Sequence, residues 1–457
     1  MTGDLRQATV AGRFFPGSAE ALAGTVKSLL DAAGRDRAPP PTPPRAVISP
    51  HAGYAFSGAL TALALGRSRG AAPARIAILS PAHRHAFDGI ALPSQPGYAL
   101  PGMAPGIDAA ARDGLVAAGL ARVLDAAHDM EHGIETQLPF LHALHPGVPV
   151  VPLVIGRAAI GDVSAAVDAL ATMAGRTLFV LSSDLSHFLT QAQAAAHDAE
   201  AARKIETGAD AALDGRDACG ARGIAGYLAS GFGRGARALR LGMTTSFAVT
   251  GDAGRVVGYG AWSLHAPGED MLDDAARAGL LQVAREALET RVRTGREIAV
   301  EPAAFRPELQ THAASFVTLE IGGRLRGCIG SLAPRMAVVR DVAENAVKAG
   351  LSDPRFAAVT EAELDRIRIK LSVLSRAARA DFGSEAEARG LLVPGETGAI
   401  LVSGRQRGVF LPQVWESLPA PDAFLRGLKR KAGLGEDHWS DAVELHLFRG
   451  ETFGEAG

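Results

Sequence analysis

Uninterrupted apolar runs of strand length alternate with helical stretches through the first half of the chain. Ala46-Val47-Ile48-Ser49, Ile76-Ala77-Ile78-Leu79-Ser80, Val148 to Ile155 and Leu178-Phe179-Val180-Leu181-Ser182 show no polar alternation. Such runs suit strands buried on both faces of a parallel sheet. Between them, Ala19 to Ala32, Gly58 to Gly66 and Val163 to Met173 read as helices, and the proline-rich segment from Pro39 to Pro44 reads as a stiff connector. Arg255 to Trp262 reads as a closing strand. Alternating strands and helices predict an α/β domain with a parallel or mixed sheet flanked by helices.

The second half has a different texture. Phe316 to Ile321 alternates, Gly322-Gly323 suits a hairpin turn, and Arg324 onward reads as the returning strand. Ile367, Ile369, Leu371 and Val373 alternate with polar residues, as do Val443, Leu445 and Leu447, and Gly404 to Gly408 reads as a connection between two further strands. Half-buried, turn-connected strands predict an α+β domain with an antiparallel sheet. A polar junction runs from Leu264 to Asp273, and Asp273 and Asp274 then cap a predicted helix over Ala275 to Arg293. These signals divide the chain into 1–267 and 268–457.

Composition narrows the function classes. At 457 residues each half is long enough to bury its own core. A net charge of −2 gives no electrostatic case for nucleic acid or an anionic membrane. No apolar run reaches membrane-span length, and Met1 to Arg13 has no apolar core of a secretory signal. Two cysteines, Cys219 and Cys328, cannot build a disulfide framework and suit a reducing cytoplasm.

The chemistry concentrates in the first half, where ten of the thirteen histidines lie. Three apolar runs break at serine and reach a histidine within a few residues: His51, His83 and His187, the last preceded by Asp184. Ligands of open α/β sheets bind at the carboxyl ends of strands, so this pattern delivers imidazoles and a carboxylate to one edge. Neutral imidazoles with a carboxylate suit a divalent transition metal. A further cluster, His128, Glu131, His132 and Glu135, adds titratable groups, with His132 its strongest candidate. Single histidines more often cap helices or hold buried hydrogen bonds. His142 and His145 read as a solvated face, His197 and His265 as ordinary structural histidines, and Cys219 as structural.

Several motifs resemble a known family. Ala11 to Pro16, Pro50-His51-Ala52-Gly53-Tyr54, Ser80-Pro81-Ala82-His83, Glu131 to Glu135 with Leu138-Pro139-Phe140, Ser182 to His187, and Cys219-Gly220 occur in the order of the Memo family. The resemblance covers about residues 7 to 265. It implies a fold related to the LigB-like extradiol dioxygenases, which use non-haem iron. It matches His51 and His83 to metal ligands, and Asp184 and His187 to the remaining polar groups of the site. Some members supply a late cysteine as third ligand. The stretch taken to correspond, Gly242 to Phe247, has none, which weighs against iron and keeps copper and zinc as alternatives.

The second half resembles the AMMECR family through Leu325-Arg326-Gly327-Cys328-Ile329-Gly330, Asp353-Pro354-Arg355-Phe356 with Glu363-Leu364, and Gly408 to Trp415. That resemblance runs from about 272 to 453 and pairs the halves as components of the AmmeMemoRadiSam system. It implies a radical SAM protein as partner, whose three-cysteine cluster motif this chain lacks. Cys328 is expected in a solvent-accessible turn, with Arg326 beside it to lower its thiol pKa. The competing expectation is a small buried hydrophobe. Gly66 to Gly70 matches a nucleophile elbow but precedes a strand, and Gly231 to Gly235 lacks the strand a dinucleotide site needs.

If the protein is an enzyme, His51 and His83 hold the metal. Open positions take dioxygen and an oxygen-bearing substrate, His187 serves as acid/base with Asp184 orienting it, and His132 is a further catalytic candidate. A zinc-type hydrolase on the same edge and a non-catalytic metal-binding adaptor are the alternatives.

Overall fold

The computed structural model describes residues 4–35 and 39–455. Met1 to Gly3 of the N-terminal segment considered above lie outside them. The first domain is built on a mixed sheet whose centre is parallel. Along it the strands run Arg237–Thr245, Val256–His265, Ala46–Ser49, Thr177–Ser182, Arg75–Pro81, Val150–Ile155, Ile90–Leu92 and Arg122–Val123. Ala46–Ser49, Thr177–Ser182, Arg75–Pro81 and Val150–Ile155 pair in parallel, in register Ser49 with Ser182 and Leu79 with Leu181. All residues of the Ala46–Ser49, Thr177–Ser182 and Val150–Ile155 strands are buried, which is why their sequences show no alternation. On one face pack helices Ile160–Ala171 and Ala221–Ala229. On the other pack Ala19–Arg35, Tyr54–Gly66 and Leu138–Leu144.

Two expectations for this domain change. The run expected to close the sheet, Val256–His265, lies inside it between Ala46–Ser49 and Arg237–Thr245, antiparallel to both. The outer strand, Arg-Ala-Leu-Arg-Leu-Gly-Met-Thr-Thr, carries two arginines that obscure its apolar character. His145 is not on a solvated face. It is buried, and its Nε2 lies 2.8 Å from Ser68 Oγ.

The second domain contains two four-stranded antiparallel sheets. One runs Arg324–Gly330, Ser315–Ile321, Ile367–Leu374, Gly450–Gly454, and the other Ala378–Arg379, Val443–Phe448, Gly398–Ser403, Gln406–Phe410. Gly322 and Gly323 both take positive φ in the hairpin turn, 58° and 74°. The connection expected over Gly404 to Gly408 shrinks to Gly404 and Arg405, because Gln406 onward is already strand.

Helix Asp274–Thr294 starts where Asp273 accepts a hydrogen bond from the Ala276 amide. It packs on Val338–Leu351 and on the first of these sheets, and Leu239 of the first domain's outer strand joins the same core. Buried charges cross between the domains. Glu451 lies 3.3 Å from Arg237 and 2.9 Å from Arg277, and accepts the Met271 and Leu272 amides. Glu206 accepts from Arg240 at 2.7 Å, from the Trp262 indole at 3.0 Å and from the His312 amide at 2.9 Å. No helix among the described residues is long and apolar enough to cross a membrane.

Candidate metal centre

Three histidines meet where the central strands end. His51 follows strand Ala46–Ser49, His83 follows Arg75–Pro81, and His132 comes from the loop ahead of helix Leu138–Leu144. One ligand nitrogen from each can be chosen so that all three lie within 4.8 Å of one another. Ring centroids are 4.9 Å apart for His51 and His83, 5.4 Å for His51 and His132, and 4.6 Å for His83 and His132. Two nitrogens at about 2.1 Å from one ion stand roughly 3 to 4 Å apart, so the three rings need little movement to share a metal.

The hydrogen-bond network fixes two tautomers. His51 Nδ1 lies 2.8 Å from Ser182 Oγ, whose own proton goes to the Gly133 carbonyl at 2.7 Å. Ser182 must therefore accept from His51 Nδ1–H, which leaves the lone pair on His51 Nε2. His83 Nδ1 lies 2.8 Å from Glu131 Oε1. An ionised carboxylate only accepts, so His83 likewise keeps its lone pair on Nε2. A carboxylate behind a ligand imidazole is the usual supporting arrangement of a metal-binding histidine.

Electrostatics act in the same direction. Burial, reinforced by the neighbouring His83, pushes His51 down to about 3, and burial with His51 and His83 beside it pushes His132 down to about 4. Both are therefore neutral donors. Burial would raise Glu131, but the hydrogen bond from the His83 ring and the amides of His83 and Gly133 hold it down to about 2.

The loop carrying His132 is clamped from the far end of the sequence. Arg6 donates to the carbonyls of His128 and Glu131 at 2.7 and 2.8 Å and to Glu135 at 2.6 Å. Gly133 has no room for a side chain: a Cβ would stand 2.3 Å from Ser80 Oγ and 3.2 Å from His51 Nδ1. Of the cluster read from the sequence, His132 joins the triad and Glu131 supports it. His128 instead holds the Ala91 carbonyl with Nε2 and Glu135 is taken up by Arg6 and Thr9.

Asp184 reaches the site's edge. Its Oδ1 accepts the His51 amide at 2.9 Å and its Oδ2 stands 3.9 Å from His51 Nε2. Burial raises its carboxyl pKa, against the pull of the His51 amide. His187 is not one of the three grouped donors, although its charge acts on Asp184 and His51. The chain turns after Ser182, and His187 sits exposed on a short strand paired with Val257, with Nδ1 2.8 Å from the Leu185 carbonyl. At this third instance of the strand-then-histidine pattern four residues, Ser183 to Ser186, separate the serine from the histidine, against one and two at the others.

Cys219, expected to be structural, stands beside the histidines. Its Sγ lies 3.4 Å from His51 Nε2 and accepts from the Asp184 amide at 3.2 Å. Burial, helped by Asp184, pushes the thiol up to about 12. A bound cation would oppose that shift and favour thiolate. The available signal was Cys219-Gly220 before helix Ala221–Ala229, since a Cβ on Gly220 would lie 2.6 Å from the Ser182 carbonyl. The donor set of three imidazoles with a supporting carboxylate suits a transition metal.

Cys328 lies within strand Arg324–Gly330 rather than in a turn, and is half-buried. Arg326 is occupied by Glu363 at 2.8 Å, while Cys328 Sγ accepts from Thr318 Oγ1 at 3.3 Å. The motif's glycines serve packing. A Cβ on Gly327 would stand 2.1 Å from the Ala349 carbonyl and one on Gly330 2.4 Å from that of Ser315.

The profile of Memo-like proteins matches residues 6–263 and that of AMMECR1 matches residues 281–453. A protein of Aeropyrum pernix is 36% identical over 195 residues, which span 40% of this chain and 80% of that protein. One of Methanothermobacter thermautotrophicus is 33% identical over 184 residues, 39% of this chain and 93% of the relative. The crystal structure of an uncharacterised Pyrococcus horikoshii protein aligns with 38% of this chain and 89% of its own at 33% identity, with a TM-score of 0.36.

Proposed function

We propose that this chain, which belongs to the Memo-like family and carries an AMMECR1 domain behind that fold, performs dioxygenase-like oxidation at a metal held by His51, His83 and His132. The observation that carries this reading is the convergence of the three rings at the carboxyl edge of a parallel sheet. It takes with it the proposed kinship to the LigB-like dioxygenases. Bound there, a redox-active metal such as iron would supply open coordination positions and one-electron chemistry.

The protein's own residues would do the rest. Ser182 and Glu131 hold the two imidazoles with Nε2 outward, and Gly133 allows the loop to close on them. Asp184 fixes the His51 backbone. His187, exposed on the adjoining loop, is proposed to exchange protons with solvent. We also place the domain division at residue 268 and the protein in the cytoplasm.

A zinc hydrolase is the second reading, favoured by the fact that the three grouped donors are all imidazoles, a set that activates water at zinc. The nearby thiol of Cys219 also suits copper. Metal analysis of untagged protein purified without chelators, followed by oxygen-uptake and ester-hydrolysis assays, separates these readings. Iron with oxygen uptake supports the first. Zinc with hydrolysis replaces it with the second. Metal without any turnover, together with metal-dependent capture of a radical SAM protein, replaces both with an adaptor role.

A further inference from the structure

Beside the histidines lies a cavity of about 450 Å³. Cys219 and Ser80 stand in its wall, and Cys219 is also the residue in contact with His51. Leu79, Phe87, Ile155, Ile160 and Leu213 give the cavity an apolar body. This size lies within the usual range of small-molecule sites, which combine apolar walls with a few placed polar groups.

Three charged side chains line the cavity, and they are not equivalent. Arg157 pairs with Asp88 at 2.8 Å. Asp214 accepts the Arg216 amide at 2.8 Å and lies 3.5 Å from the Arg216 guanidinium. Arg222 has no carboxylate partner among the described residues, and its hydrogen bond goes to the Gly156 carbonyl at 3.2 Å. One neutral acceptor leaves most of a guanidinium's five donors available.

We propose that the substrate of this site is a small organic anion with an apolar body, its carboxylate or phosphate held by Arg222 while the body fills the Leu79–Leu213 wall. A guanidinium recognises either head group through paired N–H donors, so the shared chemistry is a planar-edged oxyanion. This inference rests on the reading of the histidine group as the reactive centre, and it adds the substrate class. Arg222 is a binding residue here, with no part in holding the metal.

The experiment uses the full chain, metal-free and zinc-loaded, with 2-naphthoate, 2-naphthyl phosphate and the neutral 2-naphthamide as probes, titrated by calorimetry. One or both anions bind at least about tenfold tighter than the amide, a difference of about 1.4 kcal/mol. Arg222→Gln removes that preference, Arg222→Lys restores part of it, and neither changes zinc affinity. Whichever anion binds tighter identifies the head group. Equal affinity of both anions and the amide, no binding of either anion, or unchanged affinity in Arg222→Gln overturns the inference. The comparison of both anions with the amide on the unaltered protein decides even if a variant fails to fold. Failure of anion binding with zinc binding intact leaves the metal reading standing, whereas absence of zinc binding counts against that reading instead.

Discussion

Gly133 and Gly327 have the same local problem and opposite meanings. Each stands so close to a neighbour that a Cβ would overlap it, at 2.3 Å from Ser80 Oγ for Gly133 and 2.1 Å from the Ala349 carbonyl for Gly327. Around Gly133 the neighbours are side chains of the site, Ser80, Glu131 and His51, gathered where the central strands end. Around Gly327 the neighbour is the backbone of a helix packed on the middle of a sheet. A glycine beside a reactive residue therefore marks a site only when the chain there has left regular structure. Mid-strand, it marks close packing, and the adjacent charge, Arg326, is already spent on Glu363.

The sharpest break of this comparison comes from the ligands. His51→Ala and His83→Ala are expected each to abolish tight metal binding, with the melting temperature changed by only a few degrees. Strand-end site residues contribute little to the core. Metal content at the level of the unaltered protein in both variants would refute the assignment.

Gly327→Ala should do the reverse. Overpacking against helix Val338–Leu351 costs about 1 to 3 kcal/mol by denaturant unfolding while metal affinity stays unchanged. Loss of metal binding in this variant would contradict the separation of the two regions.

A finer test is Glu131→Gln. It keeps the shape but weakens the partner of His83, and metal affinity is expected to fall about 10- to 100-fold. An unchanged affinity would mean that Glu131 does not support the ligand.

The smallest effect is expected from pH at the domain junction. Burial would raise Glu206, but Arg240, His312 and Trp262 hold its carboxyl below the ordinary value of 4.5. A depressed carboxylate stabilises fully above the unfolded-chain pKa, and that contribution is lost as pH falls through the lower folded value. Stability should therefore decline below about pH 4.5, and Glu206→Gln should flatten that part of the curve. An identical acid limb in the variant would remove Glu206 from the account.

The sequence carried the sheet's core strands because burial on both faces writes itself as unbroken apolar runs, as in Thr177–Ser182. Sheet order was not legible in the same way. Arg237–Thr245 was hidden by its arginines, which are held by buried carboxylates, Arg237 by Glu451 of the second domain and Arg240 by Glu206 of the first. The proximity of His51 and His83 followed from parallel strands ending at one edge. Cys219 could not be placed by the same argument, since it is 168 residues from His51 and arrives on a loop. The path to His187 was not legible either, because Ser183 to Ser186 turn the chain onto Val257, a tertiary event with no periodic signature.

The position of Glu451 bears on how the two halves are tied together. It lies on the last strand of the chain, yet it grips Arg237 of the first domain and the Met271–Leu272 stretch of the connecting segment. Cutting the chain between its domains would strand Arg237 in the first fragment and Glu451 in the second. Glu451 would keep Arg277 and the Met271 and Leu272 amides, so it is Arg237 that loses its carboxylate and turns to water when the halves part. The fusion fixes one histidine site per AMMECR1 domain whatever the rate at which either would be made alone.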